Sequence, residues 1–387
     1  MTFINPLQSV ERHGITFPDC PCHHPRHLIP ALLFPPCHQC RQHHHRPQTI
    51  QEDLRLRRLL HRHRQHRLTS GAPAGFGYVS NLPYGRTFFH RPTNRYSDGR
   101  LVIDFVAQSL SLPFLPPYRQ NPSSATGVNF AVAGSTAISH DFFVKNNVTL
   151  SITPGSLETQ LGWFDQYLNG ERLVGDDALF WVGETGANDY AYTVGSSVPS
   201  STVQRLAVDS VTRFLQALLK KGAKYLVVQG LPATGCLPLA LTLSPQSDRD
   251  DLGCVASVNK QSSSHNAALQ ARLESLRKQF PQAAIVYADF WNSYAAVLKN
   301  WAKYGFKETL KACCGSGGGP FNFQVFDACG SPSSTTCPDP SRYVNWDGVH
   351  LTEAMNKVVS DLFLNGTFSN PPFEYLLRKK ERAAGKY

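Results

Sequence analysis

The sequence predicts an α/β body of three layers, a central parallel sheet with helices on both faces, preceded by a segment of different character. Three observations carry this. Short apolar strand-like runs alternate with amphipathic helix-like runs through most of the chain, as in a parallel sheet with crossover helices. The 387 residues are 41% hydrophobic and only 17% charged, which suits one large domain or two small ones. The first 70 residues share none of this patterning and hold 10 Arg, 4 acidic residues and 11 of the 15 His. The chain is therefore divided into residues 1–70 and a body at 71–387.

The charge follows the same division. Of the formal net charge of +10, the first segment supplies +6 (10 Arg less 4 acids) and the body the remaining +4. The body shows no basic stripe with interleaved aromatics, so no nucleic-acid partner is expected. Cys37-x-x-Cys40 followed by His43, His44 and His45 has the ingredients of a metal site. A structural zinc site, however, wants a second ligand pair at a defined spacing on a folded unit, and here the histidines run consecutively between prolines. The composition reads as disorder or artefact, and no metal or cofactor is expected. Leu28 to Phe34 is too short for a signal-peptide apolar core and contains Pro30. No run approaches the roughly 18 apolar residues of a transmembrane helix, so no stable membrane insertion is expected and no signal peptide is readable.

The elements follow in order. Gly75 to Phe89 is a Gly/Pro/aromatic loop, and Leu101 to Leu110 has the spacing of a short helix. Gly127 to Gly134 (GVNFAVAG) is a strand ending at a glycine, which permits either a tight turn or close approach to a ligand. Leu157, Leu161, Phe164 and Leu168 make a helical stripe, and Ala178 to Val182 is a buried-type strand followed by a loop, Gly183 to Tyr190. Then come a helix at Ser201 to Lys221, a strand at Tyr225 to Val228, a helix at Ser257 to Phe280, a strand at Ala284 to Ala288 and a helix at Ser293 to Tyr304. Cys313 to Pro338 is a Gly/Cys/Ser-rich loop, and Thr352 to Leu364 is the last long helix. In parallel sheets ligands bind beyond the carboxyl ends of the strands. The segments containing Gly134, Gly183 to Asp189 and Asp347 to His350 are placed on loops that could meet at that edge.

Ten cysteines divide into Cys20, Cys22, Cys37 and Cys40 in the first segment, and Cys236, Cys254, Cys313, Cys314, Cys329 and Cys337 in the body. An even, clustered set suits disulfides in an oxidising compartment. At least two are expected among the body six, with the adjacent Cys313 and Cys314 bonded to different partners. Sequence does not choose among the pairings. The sequons at Asn147 and Asn365 suggest N-glycosylation.

The chemistry centres on Val344 to Thr352, V-N-W-D-G-V-H-L-T. Asp347-Gly348 is a turn signal that can fold the carboxylate back onto His350. A carboxylate there fixes the ring tautomer and stabilises the imidazolium, leaving Nε2 as a general base. The plainer reading is that Asp347 caps the following helix and His350 lies in its first turn. For Asn188-Asp189 the plainer reading is an Asx turn, and for Gly134 simple turn chemistry.

Four stretches in this order weigh against the plainer readings: SNLPYGRTFFHRPTNRYSDGRLVIDF at Ser80 to Phe105, GVNFAVAGSTA at Gly127 to Ala137, WVGETGANDY at Trp181 to Tyr190, and DGVHLTEAMN at Asp347 to Asn356. Together they resemble the plant GDSL esterase/lipase family of SGNH hydrolases over about residues 71 to 370. The resemblance implies a flavodoxin-like α/β/α fold, a serine nucleophile, Asp347 and His350 as triad acid and base, and the Gly134 backbone N–H and Asn188 side-chain amide as oxyanion donors. It also implies a small acyl or acetyl ester as substrate, a monomer without cofactor, and a secreted enzyme.

One block is absent. The family's Gly-Asp-Ser followed after two residues by Asp-Thr-Gly-Asn does not occur, and no serine lies between Val10 and Thr69. The nucleophile is therefore not identified, the first strand is missing from the written chain, and a central sheet position is expected to be empty. A codon argument accounts for this. Phe-Gly-Asp-Ser-Phe-Thr-Asp-Thr-Gly-Asn, written with C at every third base and read from the third base of its first codon, gives Arg-Arg-Leu-Leu-His-Arg-His-Arg-Gln. Arg57 to Gln65 reads the same at all nine positions, where only the Phe and Thr after the serine were freely chosen. Residues up to about 66 then read as a wrong-frame translation, with the serine codon across Leu59 and Leu60. On this reading the written form is an inactive, poorly folded version of an esterase whose corrected frame also regains a signal peptide. Two other readings remain open: a non-catalytic ester- or lipid-binding protein of the same fold, and a metal- or anion-binding protein acting through the His/Arg/Cys segment.

Overall fold

The computed structural model describes residues 2–4, 74–122, 124, 126–148, 153–169, 177–317, 319–325 and 327–383. Cys37, Cys40, His43 to His45, Leu59 and Leu60 lie outside the described residues. The body forms one compact unit that also includes Thr2–Ile4.

Its main sheet contains β1 (Thr2–Ile4), β2 (Gly127–Asn129), β3 (Leu179–Val182), β4 (Tyr225–Gln229), β5 (Ala284–Ala288) and β10 (Ser369–Asn370), in the spatial order β10-β5-β4-β3-β1-β2. β3, β4 and β5 pair in parallel, Leu179 opposite Tyr225 and Tyr225 opposite Ala284. The position beside β3 is not empty, contrary to the expectation from the missing block. Thr2–Ile4 fills it, antiparallel to both β2 and β3, with Phe3 opposite Val128 and Phe180. The N–H and C=O groups facing that slot need partners, and these three residues supply them. The sheet is thus mixed, with a parallel centre.

Every residue of β3, β4 and β5 is buried, as required of strands covered on both faces. Side chains alternate between two cores. Phe180, Val182, Leu226, Val228 and Ile285 face one core, built with α3 (Leu157–Leu168), α5 (Ser200–Lys220) and α7 (Ala256–Gln279). Leu179, Trp181, Val227, Ala284 and Val286 face the other, with α1 (Val102–Ser109), α8 (Phe290–Lys299) and α9 (Glu353–Leu364). These are the three layers read from the alternation.

Several elements differ from the sequence reading. The strand begun at Gly127 stops at Asn129, and the chain turns before Gly134. The segment after β3 is only partly a loop, because Ala187–Thr193 is a helix, α4. The helix expected from Ser293 starts earlier, at Phe290, since Asp289 caps it by accepting the Asn292 N–H at 3.1 Å. Short α2 (His140–Lys145) and α6 (Pro238–Leu243), and the terminal α10 (Glu374–Ala383), were not anticipated. Neither were β6 (Glu308–Ala312) and β9 (Tyr343–Asn345), which pair in parallel, nor β7 (Cys314–Gly315) and β8 (Thr335–Thr336), which pair inside the Cys-rich loop.

Among the described residues three disulfides are formed: Cys236–Cys254, Cys313–Cys337 and Cys314–Cys329. The adjacent pair does take different partners. The last two bridges, with Val79, Tyr84 and Trp346, build a third, smaller core. Among the described residues no helix is long and apolar enough to cross a membrane.

Candidate active site

The Asp347 loop is shaped by its own carboxylate. β9 delivers the chain into Trp346, and Asp347 Oδ1 accepts the backbone N–H groups of Val349 at 2.8 Å and His350 at 2.7 Å. This is the Asx-turn chemistry that Asp supports. It brings the ring round, so that His350 Nδ1 lies 3.0 Å from Oδ1 and 2.9 Å from Oδ2. Gly348 is needed for space, because a Cβ there would lie 1.9 Å from the Phe323 ring. Asp347 is not the helix cap. Thr352 takes that role, its Oγ1 accepting the Met355 N–H at 3.2 Å, and His350 lies ahead of the first turn.

Asp347 is buried, and the His350 side chain keeps 30% exposure. Burial alone would push the Asp347 carboxyl up. The His350 charge, its ring N–H and the two backbone donors outweigh burial and hold it below the usual range. The carboxylate is therefore kept ionised beside an imidazole with an accessible edge.

Two aromatic residues from the loop before α1 complete this half. Tyr84 Oη donates to Asp347 Oδ2 at 2.8 Å, and the Tyr96 ring lies 4.5 Å from the His350 ring, tilted by 34°. That loop is fastened to the start of α9. Glu353 N–H donates to Asp98 Oδ1 at 2.7 Å, and Arg100 N–H and Thr87 Oγ1 both donate to Glu353 Oε2 at 3.0 Å.

The other half holds Gly134 and Asn188. Gly134 has φ +75°, a conformation that favours glycine. The Asn188 side-chain amide donates to the Ser135 carbonyl at 2.9 Å, and Tyr192 Oη donates to the Gly134 carbonyl at 2.7 Å. Asp189, fully buried, accepts the Ala137 and Ile138 N–H groups, each at 2.9 Å. Burial raises its carboxyl to about 7, against those two donors. α4 is thus tied to the Gly134 turn at three points. It is also backed by His265, whose Nδ1 is 3.0 Å from Tyr190 Oη. Burial lowers the His265 ring to about 4. A Cβ on Gly186, at the start of α4 with φ +126°, would come within 2.9 Å of His265 Cε1.

The structure therefore joins Asp347 with His350, and Gly134 with Asn188. Glu184 relates the two halves. The packing of protein around it raises its carboxyl, and the His350 charge draws it back. Because the residue is exposed, solvent screens much of the upward effect. The loop between β3 and α4 is accordingly within electrostatic range of His350. Sequence reasoning missed Tyr84, Tyr96, Asp189 and His265. The first three lie inside stretches singled out above, whereas nothing local marks His265 beyond its place on a long helix. Among the described residues no cluster of His, Cys, Asp or Glu could hold a metal ion.

A sheet covered by helices on both faces, with a carboxylate–imidazole pair on a loop beside it, is a framework on which a hydrolase can be built. Comparison narrows it, for the GDSL-like lipase/acylhydrolase profile matches residues 73–363. The chain is 58% identical over 321 residues to a GDSL esterase/lipase of Arabidopsis thaliana, covering 80% of this chain and 84% of that one. It is 40% identical to acetylajmalan esterase 2 of Rauvolfia serpentina (72% and 80% covered) and 38% identical to the sinapine esterase of Brassica napus (76% and 80%). The protein belongs to the GDSL-like lipase/acylhydrolase family.

Proposed function

We propose that this chain is the body of a serine carboxylester hydrolase. Asp347 is the triad acid and His350 the general base. The Gly134 N–H and the remaining amide hydrogen of Asn188 are the oxyanion donors. The observation that carries this reading is the 2.9 Å contact from His350 Nδ1 to a buried, ionised Asp347, within a family whose named relatives include esterases. In the reaction His350 Nε2 takes the serine proton as Oγ attacks the acyl carbon, and returns it to the departing alcohol. Water then hydrolyses the acyl-enzyme by the same route.

The nucleophile is the serine whose codon spans Leu59 and Leu60 in another frame. As written, the chain keeps the acid, base and oxyanion donors without their nucleophile, a loss that costs about 10⁶-fold in kcat in a serine protease. The substrate is a small acyl or acetyl ester, and the corrected protein is a secreted monomer glycosylated at Asn147 and Asn365. The three disulfides and the exposure of both asparagines agree with that compartment.

The test is to sequence the transcript and express both frames. The corrected chain should label with a fluorophosphonate and hydrolyse a short-chain nitrophenyl ester, and the written chain should do neither. A transcript without Gly-Asp-Ser codons in any frame of this region would overturn the frame proposal. Ester binding without turnover by the written chain would then favour the non-catalytic protein of the same fold.

A further inference from the structure

The Asp347 carboxylate has about four lone-pair sites, and four donors converge on it. Oδ1 takes the Val349 and His350 backbone N–H groups, His350 Nδ1–H is shared between both oxygens, and Oδ2 takes the Tyr84 hydroxyl. Three of these donors come from the loop itself. The fourth arrives from 263 positions away and is the one the local turn cannot provide.

Tyr84 is placed for this contact from several sides. It is 3% exposed, and its ring meets Trp346, the residue before Asp347, edge to face at 5.9 Å and 75°. It also meets Tyr96 at 6.0 Å and 77°, and Tyr96 covers His350. Two disulfides pack in the same cluster. Burial first, then the Asp347 charge, holds the Tyr84 hydroxyl protonated far above its usual range, so it acts as a donor throughout the working pH range.

We propose that Tyr84 is a positioning residue for the Asp347–His350 pair, occupying one lone pair of Oδ2 and limiting how much negative charge Asp347 offers the imidazole ring. This rests on the ester-hydrolase reading for its purpose, but the interaction can be tested without turnover. A hydroxyl donated to a carboxylate withdraws charge from it. Removing the hydroxyl concentrates that charge on the ring N–H. A better donor withdraws more. The Tyr96 ring lies against the His350 ring at 4.5 Å, and an aromatic ring face favours a positively charged imidazole.

The experiment is proton NMR of the full chain with nitrogen-15-labelled histidine, following the low-field Nδ1–H resonance assigned by its loss in His350→Ala. Tyr84→Phe should move it downfield, and 3-fluorotyrosine at position 84, a stronger donor of nearly the same size, should move it upfield. Opposite shifts establish the role. A resonance unmoved by both, or moved the same way by both, overturns it, because a purely structural contribution has no sign that follows donor strength. If Tyr84→Phe fails to fold, the fluorinated protein decides: an upfield shift supports the proposal and an unmoved or downfield resonance ends it. The outcome is independent of ester hydrolysis, so opposite shifts together with an inactive serine-restored chain would count against the proposed function alone.

Discussion

The Asn188 side-chain amide lies 2.9 Å from the Ser135 carbonyl oxygen, so the helix after β3 holds the turn at Gly134 directly. One amide hydrogen is used in that bond, leaving a second on the same nitrogen. In the proposed mechanism Asn188 therefore has two tasks, a donor for the oxyanion and a tie on the residue beside the second donor.

In the serine-restored enzyme, Asn188→Ala should lower kcat by about 10²–10³-fold with a smaller effect on KM, the usual consequence of losing one oxyanion donor. Asn188→Asp should be worse, since it also sets an acceptor against the Ser135 carbonyl. Steady-state kinetics on one ester decides the point. A loss confined to KM would show that Asn188 binds substrate without stabilising the transition state.

Two buried groups, Asp189 in α4 and His265 behind it, should give stability opposite pH dependences. Asp189 has its folded value raised to about 7 by burial, so the native state holds a proton that the unfolded state releases, and its contribution falls as pH rises from about 4 to about 7. His265 has its folded value lowered to about 4 by burial, so the unfolded state takes up the proton first. Its contribution rises with pH between about 4 and about 6.5. Urea unfolding from pH 4 to 7.5 should show Asp189→Asn removing a decline and His265→Gln removing a rise, each relative to the parent. Parallel curves for parent and variants would mean that neither group titrates abnormally.

The Cys314–Cys329 bridge closes a separation of 15 residues, and the Cys314 N–H donates to the Trp346 carbonyl at 2.7 Å. A loop of this length is expected to contribute about 3 kcal/mol. The double Cys314→Ser, Cys329→Ser variant should lose about that much and weaken the His350 Nδ1–H resonance, since the strand holding Trp346 beside Asp347 is loosened. Peptide mapping of the parent under non-reducing conditions should recover the three bridges. A variant with unchanged stability and resonance would separate the bridge from the site.

Asn147 has φ +55°, and Asn365 accepts the Thr367 N–H at 2.9 Å; both are exposed. Secreted material should lose one glycan mass for Asn147→Gln and another for Asn365→Gln. Intact mass unchanged by either substitution would remove the glycoprotein reading.

The sequence alone determined the layers and the Asp347–His350 turn. Runs such as Leu179–Val182 and Tyr225–Val228 are apolar throughout because both their faces are covered, and that composition is visible in one dimension. The turn at Asp347 is equally local: the carboxylate meets N–H groups two and three positions ahead, so spacing is enough to foresee it. The tertiary structure alone decided what depends on distant chain. Tyr84 reaches Asp347 across 263 positions and His265 reaches Tyr190 across 75, and no periodicity encodes such meetings. The pairing of Cys313 and Cys314 was likewise open, because their Cα separations of 4.9 and 5.2 Å from Cys337 and Cys329 arise only once β7, β8 and β9 are in place. The slot beside β3 makes the same point. A missing block is legible in the sequence as an absence, but Thr2–Ile4 occupying the position follows from the hydrogen-bonding groups of β2 and β3, which require a partner whichever segment supplies it.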